Sequence, residues 1–358
     1  MQLPTPVNRP SHDDADVSAS VRPARRALPR RWVRDELGVV LVLIVLVIAV
    51  GWSHPAFLRS NNLLTTVQNS SYVGLMACGM VFALAMREVD LSVGGIYALG
   101  IVVGAQLITK GVNPWVAALV VLLLGGLLGV LNGVVTTYIQ VPSFIVTLAS
   151  AMLFRGVALA LANGKQIGGL PSSDSFFTVV GGSVAGMPTS VWVLIVAVVA
   201  VVVVVLTVVF TRTRTGARIR AAGSFPDAAE FSGLPIARIR IQALGMSGLL
   251  AGLASVMGLA FFVAGDPTVG NGYELSAIAA CIIGGTPLMG GKGSVLGAAL
   301  GSLILSVVAA SLVFFRVPIN WTTFATGAVI LVAVALDSIL RRSRGHGFLP
   351  HRRHPLDT

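Results

Sequence analysis

Residues 188–240 read PTSVWVLIVAVVAVVVVVLTVVFTRTRTGARIRAAGSFPDAAEFSGLPIARIR, and this stretch decides the fold. Its first half, 188–211, is uncharged and apolar over more than the roughly 20 residues that cross a bilayer as a helix. Its second half opens on Arg212, Arg214, Arg218 and Arg220 and closes on Arg238 and Arg240. An apolar run that ends in arginines is how a span meets the cytoplasm. The pattern recurs twice: Arg22 to Arg34 precede the apolar run 37–50, and Arg341 to Arg353 follow the run 320–340. The three basic clusters place this loop and both termini on the cytoplasmic side. Further runs at 62–86, 93–109, 114–139, 144–163, 240–263, 273–288 and 293–315 bring the expected spans to ten, an even number that returns the chain to its starting side. The expected fold is all-α: a polytopic membrane protein of about ten transmembrane helices. Gly and Pro interrupt the runs around Gly94 and Gly284, so some of these helices are broken. Broken helices inside a bilayer are tolerated where protein or a water-filled cavity satisfies the backbone, and they mark transport pathways.

Composition agrees. Of 358 residues, 55% are apolar and 11% charged, whereas a soluble domain carries about 25% charged residues. That excludes a disulfide-stapled secreted domain, a disordered protein and an ordinary soluble enzyme. The net charge of +11 sits in the three clusters beside spans and lacks the interleaved aromatics of a nucleic-acid surface, so no nucleic-acid partner is expected. Cys78 and Cys281 fall in apolar runs as small hydrophobes, the five His lie in tails or a loop, and no metal-ligand spacing occurs. A phosphate-binding loop needs G-x-x-x-x-G-K-[ST]; before Lys292 the first position is Thr286 and after it stands Gly293, so the near match fails twice. No nucleophilic triad is present, and the chain reads as no enzyme.

The expected organisation is a polar, Pro- and Arg-rich, disordered cytoplasmic tail at 1–36, a membrane domain at 37–340 with its cytoplasmic loop at 212–240, and a second cytoplasmic tail at 341–358. The run 37–50 reads as an uncleaved first helix, since the preceding segment is long and no small-residue cleavage site follows. Gly125, Gly129 and Gly133 form consecutive GxxxG steps, as do Gly293, Gly297 and Gly301. Such stripes let a second backbone approach closely. They serve packing within the chain or a homodimer face. Residues 164–187 form the longest non-cytoplasmic loop and could dock an external partner.

Within the cytoplasmic loop, Ser224-Phe225-Pro226-Asp227-Ala228-Ala229-Glu230-Phe231-Ser232-Gly233 reads as a short helix punctuated at both ends. Either Ser224 is the cap with Asp227 three residues on, or Phe225 holds the cap and Pro226 the first helical position. Gly233 suits a left-handed C-terminal cap, and Pro235 stops continuation. Asp227 and Glu230 share a face and Phe231 is an apolar anchor. A helix stranded between spans needs a partner surface.

Four motifs now stand in order: Asp90-Leu91-Ser92-Val93-Gly94; Val141 to Leu148; the loop helix within Gly223 to Leu234; and Gly284-Gly285-Thr286-Pro287-Leu288-Met289-Gly290-Gly291-Lys292-Gly293-Ser294. Over residues 37–340 the chain resembles the permease subunits of bacterial ABC importers of the ribose-type, branched-chain-permease-like family. The resemblance implies a ten-span permease of the plasma membrane, paired with a second copy or a sister permease. It implies cytoplasmic ATPase subunits that bind the ATP cofactor this chain lacks, an extracytoplasmic sugar-binding protein, and a small sugar as cargo. It also implies that the helix at 225–232 inserts into a groove of the ATPase subunit. The chain departs from the family at Arg87 and Glu88, where members usually carry two Gly, and at Phe225 and Glu230.

Arg87, Glu88 and Asp90 sit at the join of two spans, where Arg87 and Glu88 can form an interfacial ion pair. With Ser92, Gly94, Gly284, Gly285, Thr286, Gly290, Gly291 and Lys292 they are the expected cytoplasmic gate or broken-helix motif. Intramembrane charge faces a cavity or a partner, so Glu88, Asp90 and Glu274 also keep open a proton-coupled secondary transporter. Gln68, Asn69, Asn132 and Thr147 are the polar residues inside spans that could line a solute pathway; each could instead bond a neighbouring helix.

Overall fold

The computed structural model describes residues 30–181 and 189–318, with scattered positions as far as 335. Its helices are α1 Arg30–Ser53, α2 Ser60–Ala85, α3 Val93–Thr109, α4 Pro114–Tyr138, α5 Ser143–Leu161, α6 Thr189–Arg212, α7 Arg214–Ser224, α8 Pro226–Phe231, α9 Ile236–Phe262, α10 Tyr273–Ile283 and α11 Val295–Phe314. Among the described residues no strand pairs with another, and a single pair of backbone bonds ties Ile167 to Gly265. In lipid a backbone must satisfy itself, and helices do so within one segment. Local chemistry sets the starts. Asn113 Oδ1 accepts the Trp115 amide ahead of Pro114 in α4, and Ser294 Oγ accepts the Gly297 amide at the head of α11.

The first nine expected spans each have a helix. Six described helices, α1, α2, α4, α5, α9 and α11, are long and apolar enough to cross a membrane, and the bent pair α6–α7 passes the same test as one span. Helices α3 and α10 have 17 and 11 residues. At 1.5 Å per residue they reach about 26 and 17 Å, short of a bilayer core of about 30 Å. The tenth expected span, 320–340, lies largely outside the described residues, as do the C-terminal tail and all but the last few residues of the N-terminal one. Two boundaries are corrected: α1 already begins at Arg30, inside the expected tail 1–36, and the expected span 273–288 stops as a helix at Ile283, because Gly285 turns left-handed at φ 85° and residues 284–294 run as a loop.

Helices α2 and α9 form the centre and are mostly buried, whereas α1 and α5 are mostly uncovered. The outer helices α1, α4, α5 and α6 turn Leu, Val and Ile outward, as a lipid-facing surface requires. The tightest pairing is α4 on α9. A Cβ on Gly125 would stand 2.6 Å from the Gly248 carbonyl oxygen, and one on Gly248 would stand 2.7 Å from the Gly129 Cα. A Cβ on Gly133 would meet the Ile241 Cα at 2.7 Å. The second stripe packs Gly297 on Gly284 and Gly301 on Ala280. Both stripes therefore serve packing inside the chain. In the long loop, of which 164–181 is described, Leu170, Phe176 and Phe177 are buried, with Phe176 edge-on to Trp115 at 5.5 Å, while 164–166 and 171–173 are exposed.

Candidate functional site

The chain leaves α6 and enters α7 through a 62° bend at Thr213. Arg220 of α7 reaches back to the Phe210 carbonyl and lies over the Phe210 ring at 5.2 Å. Its charge thus neutralises the carbonyl end of α6, where the helix dipole is negative. Phe210 in turn meets Phe82 of α2 edge-on at 5.3 Å.

The next turn gives α8. Of the two expected starts the structure takes the second. Ser224 ends α7, its hydroxyl donating to the Arg220 carbonyl at 2.8 Å, while Phe225 occupies the cap and Pro226 the first helical position. Gly233 closes α8 at φ 78°; its amide donates to the Glu230 carbonyl at 2.8 Å and that of Leu234 to the Ala229 carbonyl at 3.1 Å. Within α8 only Ala229 is buried. Asp227, Ala228, Glu230 and Ser232 are exposed, Phe225 is 74% exposed and Phe231 93%. The helix presents two aromatic rings and two carboxylates on a face its own chain does not cover.

The base of this loop is tied to the α2–α3 break. Arg87 adopts φ 66°, the left-handed region that favours glycine. It holds that conformation while its Nε donates to the Gly223 carbonyl at 2.6 Å and its Nη2 to the Ser224 carbonyl at 2.8 Å. The guanidinium caps the last carbonyls of α7. Glu88 turns the other way and accepts from Arg240 Nε of α9 at 2.5 Å. The expected Arg87–Glu88 ion pair is therefore not formed: the left-handed turn sends the adjacent side chains to different helices. Arg87 and Glu88 are thus both cross-links, to α7 and to α9.

A third segment joins at the same point. The Gly291 amide donates to the Ala85 carbonyl at 2.8 Å, and Gly290 and Gly291 both sit at φ 76°. A Cβ on Gly223 would strike the Ala85 carbonyl oxygen and stand 2.9 Å from the Gly291 nitrogen. Three backbones, from α2, α7 and the loop after α10, thus meet without intervening side chains. Thr286 is fully buried and accepts the Ser294 amide at 3.1 Å, while Lys292 is exposed. The Ser294 hydroxyl donates to Glu36 Oε1 of α1 at 2.8 Å, which brings the first helix to the same loop.

Below the break lies a buried polar relay. Asp90 Oδ1 accepts from the Ser92 amide at 2.9 Å and the Ser92 hydroxyl at 2.6 Å. Asn132 of α4 donates to Ser92 Oγ at 2.8 Å and accepts from Ser150 of α5 at 2.7 Å. Thr147 Oγ1 accepts the Leu91 amide at 3.0 Å, and Ser143 Oγ the Val89 amide at 3.1 Å. These bonds satisfy the amides freed where the helix unwinds. Asn132 and Thr147, named above as pathway candidates, are thereby taken up in bonds to neighbouring segments. Gln68 is buried, its amide donating to the Gly181 carbonyl at 3.2 Å, and Asn69 is exposed. Gly94, in the first turn of α3, packs against the Glu274 carboxylate. The partners of Arg87 and Glu88 lie 136 to 152 residues away. The one local signal was a tandem of opposite charges beside an Asp-Leu-Ser block.

A family model described as branched-chain amino acid transport system / permease component matches residues 62–334. The chain is 34% identical over 316 residues to the ribose import permease protein of Escherichia coli, covering 88% of this chain and 97% of that protein. It is 32% identical over 336 residues to an L-arabinose ABC transporter permease protein of Azospirillum brasilense, covering 94% and 97%. It is 34% identical over 311 residues to the D-allose transport system permease protein of Escherichia coli, covering 86% and 93%. With helices, broken spans and match all in place, the chain belongs to the branched-chain amino acid transport system / permease component family.

Proposed function

We propose that this chain is the membrane-spanning permease subunit of a bacterial ABC importer that carries a monosaccharide or similar small solute across the inner membrane. ATP is bound and hydrolysed by a cytoplasmic partner subunit, an extracytoplasmic binding protein delivers the sugar, and a second copy or a sister permease completes the pathway. The carrying observation is α8: it exposes Phe225, Phe231, Asp227 and Glu230 while its base is bonded to the broken-helix junction. Named relatives that move ribose, arabinose and allose support a sugar as cargo.

In this reading the ATPase grips α8 and its closure displaces α7. Arg87 passes that displacement to the α2–α3 break, the Glu88–Arg240 pair passes it to α9, and Gly291 passes it to the loop that ends α10. A ligand-driven shift needs two states that the partner binds differently. Here the ATP-bound and nucleotide-free ATPase dimers supply the difference. A proton-coupled carrier is not favoured, since Glu88 is held in an ion pair and the arabinose relative is an ABC transporter permease protein. The test is mild solubilisation of the tagged chain, identification of co-purifying subunits and an ATPase assay of the complex in lipid. Co-purification of an ATPase whose rate rises with sugar-loaded binding protein is the expected result. A chain that purifies alone and moves solute down a proton gradient overturns the reading.

A further inference from the structure

The chain has four tyrosines, and three of them meet between α2, α3 and α10. Tyr97 of α3 lies 6.3 Å from Tyr72 of α2 and 5.4 Å from Tyr273 of α10, ring centre to ring centre. Tyr72 stands twelve residues into the 26-residue helix α2, about 18 Å from its start at 1.5 Å per residue. That is mid-membrane depth. Tyr273 is the first residue of α10 and Tyr97 lies early in α3, the two helices too short to cross alone. Transport sites in membrane proteins form where interrupted helices begin at the midplane.

The polar atoms here are unspent. Tyr72 is 2% exposed, Tyr97 0% and Gln68 3%. Among the described residues the hydroxyls of Tyr72 and Tyr97 and the Oε1 of Gln68 have no hydrogen-bond partner. Gln68 stands four residues before Tyr72 on α2, on the same face of the helix. Burying an unpaired hydroxyl is costly, and native structures rarely leave several together. In the Asp90–Ser92–Asn132–Ser150 relay, by comparison, Asp90 Oδ1, the Ser92 hydroxyl and both ends of the Asn132 amide find partners, while Asp90 Oδ2 does not. The cluster also has an open edge. Asn69 is exposed, Phe262, 6.1 Å from Tyr72, is 42% exposed, and Tyr273 and Glu274 are half-buried.

We propose that Tyr72, Tyr97, Tyr273, Gln68 and Glu274 form a binding site for the hydroxyl groups of a neutral sugar in transit; this rests on the importer reading above. Tyrosine hydroxyls donate and accept, the Gln68 carbonyl and the Glu274 carboxylate accept, and the ring faces cover the C–H surface of a sugar. The set holds no cation to receive an amino-acid carboxylate. Arg155, on α5, donates instead to the Thr268 and Val269 carbonyls at 3.5 and 3.3 Å.

The test uses the full complex in proteoliposomes with Tyr72→Phe and Tyr97→Phe, and with Tyr138→Phe as the exposed control. Uptake of labelled D-ribose, L-arabinose, D-allose and D-xylose is measured beside the thermal midpoint of each variant. Removing an unpaired buried hydroxyl leaves a fold unchanged or steadier. The expected result is an unchanged or raised midpoint with at least a fivefold loss of uptake in both site variants, and none in the control. Unchanged uptake in both overturns the site. A lowered midpoint with lowered uptake also overturns it, because the hydroxyls then had structural partners. A wild-type complex that moves L-leucine and none of the four sugars overturns the sugar cargo on which the site rests, while the importer reading stands or falls with the ATPase assay above.

Discussion

Replacing Arg87 separates its two roles. Its guanidinium makes two bonds to the end of α7, at 2.6 and 2.8 Å. Hydrogen bonds from a charged group contribute about 1.5–3 kcal/mol when sheltered. Arg87 is exposed, so solvent screening reduces each to about 1 kcal/mol. Arg87→Ala loses both, about 2 kcal/mol, which is about thirtyfold in the population of α7 ends released from the junction. Arg87→Gly loses the same bonds but relieves the left-handed backbone at φ 66° by about 1 kcal/mol, leaving about fivefold. The smaller residue is therefore the milder change. Amide exchange in the last turn of α7 and in residues 285–292 reads the release directly, and sugar imported per ATP hydrolysed reads its consequence. The expected order of exchange is Ala fastest, then Gly, then wild type, with coupling falling in the same order. Equal exchange in all three, or faster exchange with Gly than with Ala, refutes the clasp.

Three further outcomes are expected. Glu88→Gln and Arg240→Gln each lower stability by about 2 kcal/mol, because the pair is mostly sheltered at 11% and 30% side-chain exposure and removing one charge strands the other. The double variant costs less than the sum, and additivity in thermal unfolding at matched lipid refutes a direct pair. Gly248→Ala forces α4 and α9 apart, since its Cβ has no room against Gly129, and costs at least about 1–3 kcal/mol in the same assay. Glu230→Arg and Phe231→Ser, both on the exposed face of α8, leave the stability of the isolated chain within about 0.5 kcal/mol of wild type while lowering its affinity for the ATPase subunit. Undiminished transport in cells carrying either variant refutes that role for α8.

The helices were legible because each needs only its own apolar run and its own ends. The Gly stripes were half legible. Spacing showed that a backbone must approach Gly125 and Gly129, and only the structure shows that it is α9 of the same chain. The loop helix was legible from Pro226 and Gly233, since caps act within one turn. The junction was not. Arg87 and Glu88 are sequence neighbours with opposite charges, and the simple expectation pairs them. What separates them is a backbone angle, and that angle is set by segments distant in the chain. The same holds for Asn132 and Thr147: a polar residue in a span announces that it needs a partner, but pathway and neighbouring helix look alike until α3 is seen to unwind beside them. The tyrosine cluster was missed because each ring stands alone in an apolar run, and each alone reads as core.

The meeting of Ala85, Gly223 and Gly291 has a mechanical consequence. Most contacts between moving parts of a protein run through side chains, whose rotamers can yield before anything else moves. At this joint the contact is main chain against main chain, with one amide bonded to one carbonyl at 2.8 Å. Such a linkage has almost no backlash: a displacement entering at α7 must emerge at α2 and at the 284–294 loop with little lost between. It also divides the labour of evolution. The outward face of α8 can change its rings and charges to suit a different motor, while the hinge behind it keeps its main-chain contact and its Arg87 clasp.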